Sequence, residues 1–243
     1  MSLDPAASDH LSPKMPEIPT RILGGVTVPD TPLIKNALDF AHAHCDEVTY
    51  NHAVRSFIFG QYIADNTPEL KNRDVELQAI ATILHDLGWA IDEASGIISK
   101  DKRFEVDSAN ATRTFLLSKG EKREWNERRL QLAWDAVALH ATPSFAMHKE
   151  LEVKCVNIGI GADFRGPENS YGGLLTRSVW EAAAKEFPRS GFKEGVTEIL
   201  CRLCRTKPET TYDNWVGDFG IAFVNGYSRE GKRLLDGVLA AEN

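Results

Sequence analysis

The stretch from Asp74 to Trp89, DVELQAIATILHDLGW, decides how this chain is read. Leu77, Ile80, Ile83, Leu84 and Leu87 recur at three- and four-residue spacing, the period of one buried helix face. The spacing predicts a helix from about Asp74 to Leu87, with Gly88 placed to end it. Yet the last turn carries His85 and Asp86 side by side. Burying an imidazole and a carboxylate at the end of an apolar helix is costly unless something pairs with both. A divalent cation does so at once.

The same periodicity extends in both directions. Upstream, Leu33, Ile34, Ala37, Leu38 and Ala41 follow the N-cap and first-turn pair Thr31-Pro32. A second helix is expected from about Asn51 to Asp65, with Val54, Phe57, Ile58 and Tyr62 on one face. Downstream, helices are expected near Asp107–Lys119, Glu124–His140 and Glu150–Asp163. A C-terminal set follows near Leu174–Phe187, Phe192–Arg205, Tyr212–Val224 and Arg229–Ala240. Breaks at Gly120, Pro143 and Gly166–Gly173 separate them. No run alternates cleanly enough to predict a strand. Residues 1–31 hold five of the eleven prolines plus Gly24-Gly25 and read as an extended arm. The expected architecture is therefore all-α: the arm over 1–31, then one helical domain over 32–243.

Composition narrows the function classes. A net charge of −7 argues against a nucleic-acid surface, which needs clustered Lys and Arg. The local basic run from Glu121 to Arg129 is interleaved with acidic residues and reads as a solvated helix face. Four cysteines make no disulfide framework. Cys201 and Cys204 have CxxC spacing without a second pair, so two buried thiols on one helix face are expected. With no signal peptide and no apolar run of about 18 residues, a cytoplasmic protein with no membrane partner is expected. The arm could swap between subunits, which keeps a homo-oligomer open.

Four polar residues occupy positions that helical periodicity makes apolar: His52, His85, Asp86 and Asp163, the last closing CVNIGIGAD. A lone histidine in such a place is usually a hydrogen-bonded core residue. An early histidine, a His-Asp doublet about 33 residues on and a late aspartate together favour a metal. Imidazole nitrogen with carboxylate oxygen suits Zn2+ and equally Fe2+, Mn2+, Ni2+ or Co2+.

This pattern resembles the HD-domain superfamily of metal-dependent hydrolases over roughly Thr49 to Asp163, most specifically in LHDLGW. The resemblance implies an HD-type helical bundle with His52, His85, Asp86 and Asp163 as ligands of the cation. Further segments are similar to the cyanamide hydratase-like branch: PDTPL at 29–33, YNHAVRSFIFG at 50–60, DKRFEVDSANATR at 101–113, WDAVALHATPS at 134–144, HKELEV at 148–153 and TKPETTYDN at 206–214. The histidines that dinuclear HD enzymes place just after the doublet are missing here. One cation, most naturally Zn2+, is the better count.

Other polar residues are weighed against that frame. Glu105, between Phe104 and Val106, is a candidate proton carrier or else a surface carboxylate near Arg103. His140 is a candidate to line the pocket or polarise a substrate, with a helix-end histidine as its ordinary reading. Asp86 is a catalytic candidate as well as a ligand. His148 is expected at the pocket mouth at most, and His42 and His44 diverge on their helix. Asn51 is a candidate cap or ligand orienter. Phe57, Trp89, Phe104 and Phe145 are expected in the core or as pocket wall. The expected activity is metal-assisted addition of water to a small electrophile, cyanamide or a nitrile giving a urea- or amide-type product. The alternatives are phosphohydrolysis of a nucleotide or phosphate ester, which would draw on Lys102, Arg103 and Lys149, and ligand binding without turnover.

Overall fold

Thr31 opens the first helix as its sequence suggests: its hydroxyl accepts from Ile34 N (3.2 Å) and Pro32 takes the first turn. A computed structural model of the chain describes residues 18–90 and 92–242. It contains, in order, strands β1 (Thr20–Leu23) and β2 (Val26–Pro29), then α1 (Pro32–His44), α2 (Glu47–Asp65), α3 (Val75–Leu84), α4 (Phe104–Lys119), α5 (Glu127–Ala138), α6 (Pro143–Ala146), α7 (Leu151–Arg165), α8 (Arg177–Glu186), α9 (Phe192–Thr206), α10 (Val216–Phe223) and α11 (Leu234–Leu239). The described residues are mostly helical, and none of their helices is long and apolar enough to cross a membrane.

The N-terminal arm needs correction. Residues 1–17 lie outside the described part, but residues 20–29 form an antiparallel hairpin, not an extended arm, with Leu23 paired to Val26. Gly24 and Gly25 turn it with φ of 54° and 78°, the left-handed values a two-residue hairpin demands. Leu23, Val26 and Val28 are buried, and β2 packs on α2 and α3. The local signal is the glycine pair between Ile22-Leu23 and Val26-Thr27-Val28, which the proline content of the segment masks.

Several helix boundaries also move. α2 begins at Glu47 because Asp46 caps it, accepting from Thr49 N (2.8 Å). Asn51 is thus inside the helix and caps nothing. α3 stops at Leu84, and a 3-10 turn over Leu87–Trp89 follows. Gly88 does not supply a left-handed terminus. Its role is close approach: a Cβ there would collide with the Phe104 carbonyl, and its amide donates to Ser108 Oγ (2.8 Å).

The centre of the molecule is the antiparallel contact of α2 with α7, to which α3 adds from the side. The two backbones meet at Gly60 and Gly159. A Cβ on Gly159 would lie 2.5 Å from Ser56 O and 2.8 Å from Gly60 Cα. α1, α3, α5 and the hairpin close one apolar core around this pair. A second cluster, from Trp89, Phe104, α9 and Val216 of α10, closes the other side. The free thiols Cys201 and Cys204 of α9 are buried, and Cys204 Sγ donates to Val216 O (3.4 Å).

Because backbone atoms cannot step aside at the crossing, Gly159→Ala is expected to lower stability by about 1–3 kcal/mol, as overpacking does. Urea unfolding of the two proteins measures it. An unchanged midpoint would mean that α2 and α7 are free to move apart.

Candidate metal centre

α2 delivers His52 in its second turn, and the C-terminus of α3 delivers His85 and Asp86. All three are buried, and one ligand atom from each lies within 4.8 Å of the others. His52 Nε2 is 3.6 Å from Asp86 Oδ2, and His85 Nε2 is 2.8 Å from the same oxygen. His140, just past the end of α5, brings its Nε2 to 3.6 Å from Asp86 Oδ1 and packs edge-on against the His85 ring.

The proton positions follow from the partners on the far side of each ring. His85 Nδ1 lies 2.7 Å from Thr82 O, and His140 Nδ1 lies 2.6 Å from Val137 O. A carbonyl only accepts, so each Nδ1 carries the hydrogen. His52 Nδ1 donates to Asp163 Oδ2 (2.7 Å) in the same way. Burial pushes His140 down to about 3, with the neighbouring His85 adding to it. Burial also lowers His52 against the pull of Asp163. These two rings are therefore neutral near pH 7, and their Nε2 atoms present bare lone pairs. Asp86 remains an anion: burial opposes ionisation, but His85 foremost among the nearby imidazoles outweighs it.

The result is a convergence of buried polar atoms without hydrogen-bond partners. His52 Nε2, His85 Nε2 and both oxygens of Asp86 are buried and make no hydrogen bond. His85 Nε2 stands 2.8 Å from Asp86 Oδ2 without the alignment of a hydrogen bond, so both atoms are left facing the same point. Each orphaned polar atom costs about 1–3 kcal/mol. One water has only two hydrogens to offer. A divalent cation at the ~2.0–2.2 Å typical of imidazole and carboxylate ligands satisfies the group together. The residues fit such an ion by the chemistry of their donor atoms.

Asp163 is not part of this convergence, contrary to its expected place as fourth ligand. Its Oδ2 accepts from His52 Nδ1 and from Arg55 Nη2 (2.9 Å), and its Oδ1 accepts from Arg55 Nε (2.8 Å) and Arg189 Nη1. Four donors fill the four lone-pair sites of a carboxylate. Asp163 lies at the opposite edge of the His52 ring and fixes its tautomer and orientation, the usual partner of a ligating histidine. Arg55 is itself fully buried, its Nη1 donating to Phe187 O and Pro188 O. The His52 hydrogen bond and Arg55 overcome burial and hold Asp163 well below the ordinary carboxylate range.

The cluster opens on a cavity of about 420 Å³ where the two apolar cores meet. His85, Asp86 and His140 lie at its polar end, with Asn157, whose Nδ2 donates to His140 O (2.6 Å). Trp89, Ile160, Phe164, Leu200, Trp215 and Phe219 supply apolar wall. Glu105 does not line this cavity. It is buried at the start of α4 and paired with Arg103, so the surface-carboxylate reading had the right partner and the wrong burial. His148 is exposed, His44 Nδ1 bonds Phe40 O and His42 packs on Tyr50. Phe57 and Phe104 are core, whereas Phe145 is exposed. Arg129, in the basic run, pairs with Asp74 and Glu76 and stacks on Trp125. The cavity also has a cation that the sequence reading passed over, Arg165 at the end of α7. No family model matches the chain, and no curated protein matches it either.

His85→Ala and Asp86→Ala are each expected to abolish bound metal by elemental analysis. Asp163→Asn, which removes the acceptor of His52 without touching the ligand atoms, is expected to weaken binding about 10–100-fold. Full metal stoichiometry in both alanine variants would overturn the assignment of the centre.

Proposed function

We propose that this protein is a metal-dependent hydratase or hydrolase of the HD type, acting on a small electrophile such as cyanamide or a related nitrile. The observation that carries the metal-dependent part is the unpartnered convergence of His52, His85 and Asp86, of which His85 and Asp86 line an apolar cavity. The substrate class rests on the resemblance of segments 50–60, 101–113 and 134–144 to the cyanamide hydratase-like branch.

A divalent cation in this position supplies Lewis acidity, activating water and polarising an electrophilic carbon or phosphorus. The chain's own residues do the rest. His52, His85 and Asp86 hold the ion, with His140 Nε2 as a further nitrogen within reach. Asp163 and Arg55 keep His52 in the tautomer that leaves Nε2 free. The apolar wall from Trp89 to Phe219 excludes bulk water, which strengthens electrostatic interactions inside. Asp86 Oδ1 and His140 Nε2 are the atoms at the cavity able to take a proton and return it to the product. Glu105, held by Arg103 away from the cavity, is not given that role.

Phosphohydrolysis needs cations to clamp phosphate oxygens. Lys102, Arg103 and Lys149 are paired instead with Asp101, Glu105 and Asp135. None of the three lines the cavity, whose one basic wall residue is Arg165, so a phosphate would find a single guanidinium there and not a clamp of several cations.

Zinc-loaded protein is expected to convert cyanamide to urea, or a small nitrile to its amide. Absence of turnover across a nitrile and isonitrile panel would remove the substrate claim and leave the metal centre standing. Phosphate release from a nucleotide panel would replace it with phosphohydrolysis. Silence in both panels with metal still bound would point to a ligand-binding protein.

A further inference from the structure

The cavity is poorly matched to cyanamide alone. At about 420 Å³ it falls in the range of sites that enclose drug-sized molecules. Cyanamide has a handful of heavy atoms and no apolar surface to bury against Trp89, Phe164, Trp215 and Phe219. Something with an apolar body fits these walls better.

The wall formed by α7 carries a second clue. Asn157, Ile160, Gly161, Phe164 and Arg165 recur at three- and four-residue spacing and all line the cavity. Arg165 folds back one turn, and its guanidinium occupies the space above Gly161 where a side chain would otherwise stand. Among the described residues its guanidinium makes no ion pair, and it is the one basic side chain lining the cavity. The side chain is exposed, so its guanidinium is open to solvent and to a ligand in the cavity alike.

We infer that the cavity takes a ligand with an apolar, ring-sized body and an anionic group, the reactive end at His85-Asp86-His140 and the anion on Arg165. This rests on reading the cavity as the active site, and it adds a substrate class that the resemblance does not supply. Arg165 is then a specificity-determining residue. The glycine at 161 is what lets its guanidinium reach inward.

The test is calorimetric binding to the full-length protein, both zinc-loaded and chelator-treated, using para-cyanobenzoate and its neutral isostere para-cyanobenzamide. The chelator-treated protein prevents the carboxylate from reporting on zinc. The carboxylate is expected to bind about tenfold more tightly, the worth of a charge-assisted hydrogen bond. Arg165→Gln, at an exposed side chain, should bring the two ligands to parity with no change in melting temperature. Gly161→Ala should displace the guanidinium and shrink the preference, because only the flexible end of Arg165 stands in the way. Equal binding of the two ligands, binding of neither, or a preference that survives Arg165→Gln would overturn the inference. A preserved preference without turnover would instead count against hydration alone and leave the anionic ligand class intact.

Discussion

Everything near the candidate metal centre depends on how closely α2 and α7 approach at Gly60 and Gly159. The helices run antiparallel, so the glycine contact sets the register on both sides of it. Moving back from Gly60 along α2 reaches Arg55 and His52, and moving on from Gly159 along α7 reaches Asp163. The register brings the Arg55 guanidinium into a two-pronged pairing with the Asp163 carboxylate. A buried ion pair gains little over an apolar contact, and breaking one by removing a partner typically costs 3–5 kcal/mol. Its value here is geometric. It holds His52 in one orientation with one tautomer.

The cluster that results runs against the ordinary economy of protein interiors. Buried polar groups nearly always have partners, yet His52, His85 and Asp86 leave four polar atoms without one. The surrounding structure fixes the imidazoles around Asp86 from behind: His52 by Asp163, His85 by Thr82 and His140 by Val137. Local unfavourable chemistry enforced by favourable packing is the usual signature of a functional site.

The sequence made the donor atoms legible and left the roles of their neighbours obscure. His52 and the His85-Asp86 doublet stood out because helical periodicity made their positions apolar. Periodicity also marked Asp163, but it cannot show that Arg55 and Arg189 would saturate its carboxylate. Glu105 failed as a pocket residue for a similar reason: its partner Arg103 is two residues away, and burial of such a pair is a tertiary outcome. The hairpin was hidden by prolines, although Gly24-Gly25 between Ile22-Leu23 and Val26-Thr27-Val28 was a local turn signal. Asp46, three residues before Thr49, was the missed cap that moved the start of α2. Arg165 had a signal too, in the glycine one turn before it. A single residue of that type on a helix carries no weight until a cavity appears beside it.

The burial of the candidate centre has a consequence for ion exchange. His52 and His85 are wholly inaccessible, and Asp86 is barely exposed and lies on the cavity wall. An ion leaving or arriving must therefore pass through the cavity or wait for α2 and α3 to open. The first route is closed whenever a ligand fills the space between Trp89, Phe164 and Phe219. The second requires unpacking the best-buried part of the molecule. Occupancy of the cavity and residence of a metal held there would thus be linked kinetically: a bound ligand would act as a stopper to the ion behind it.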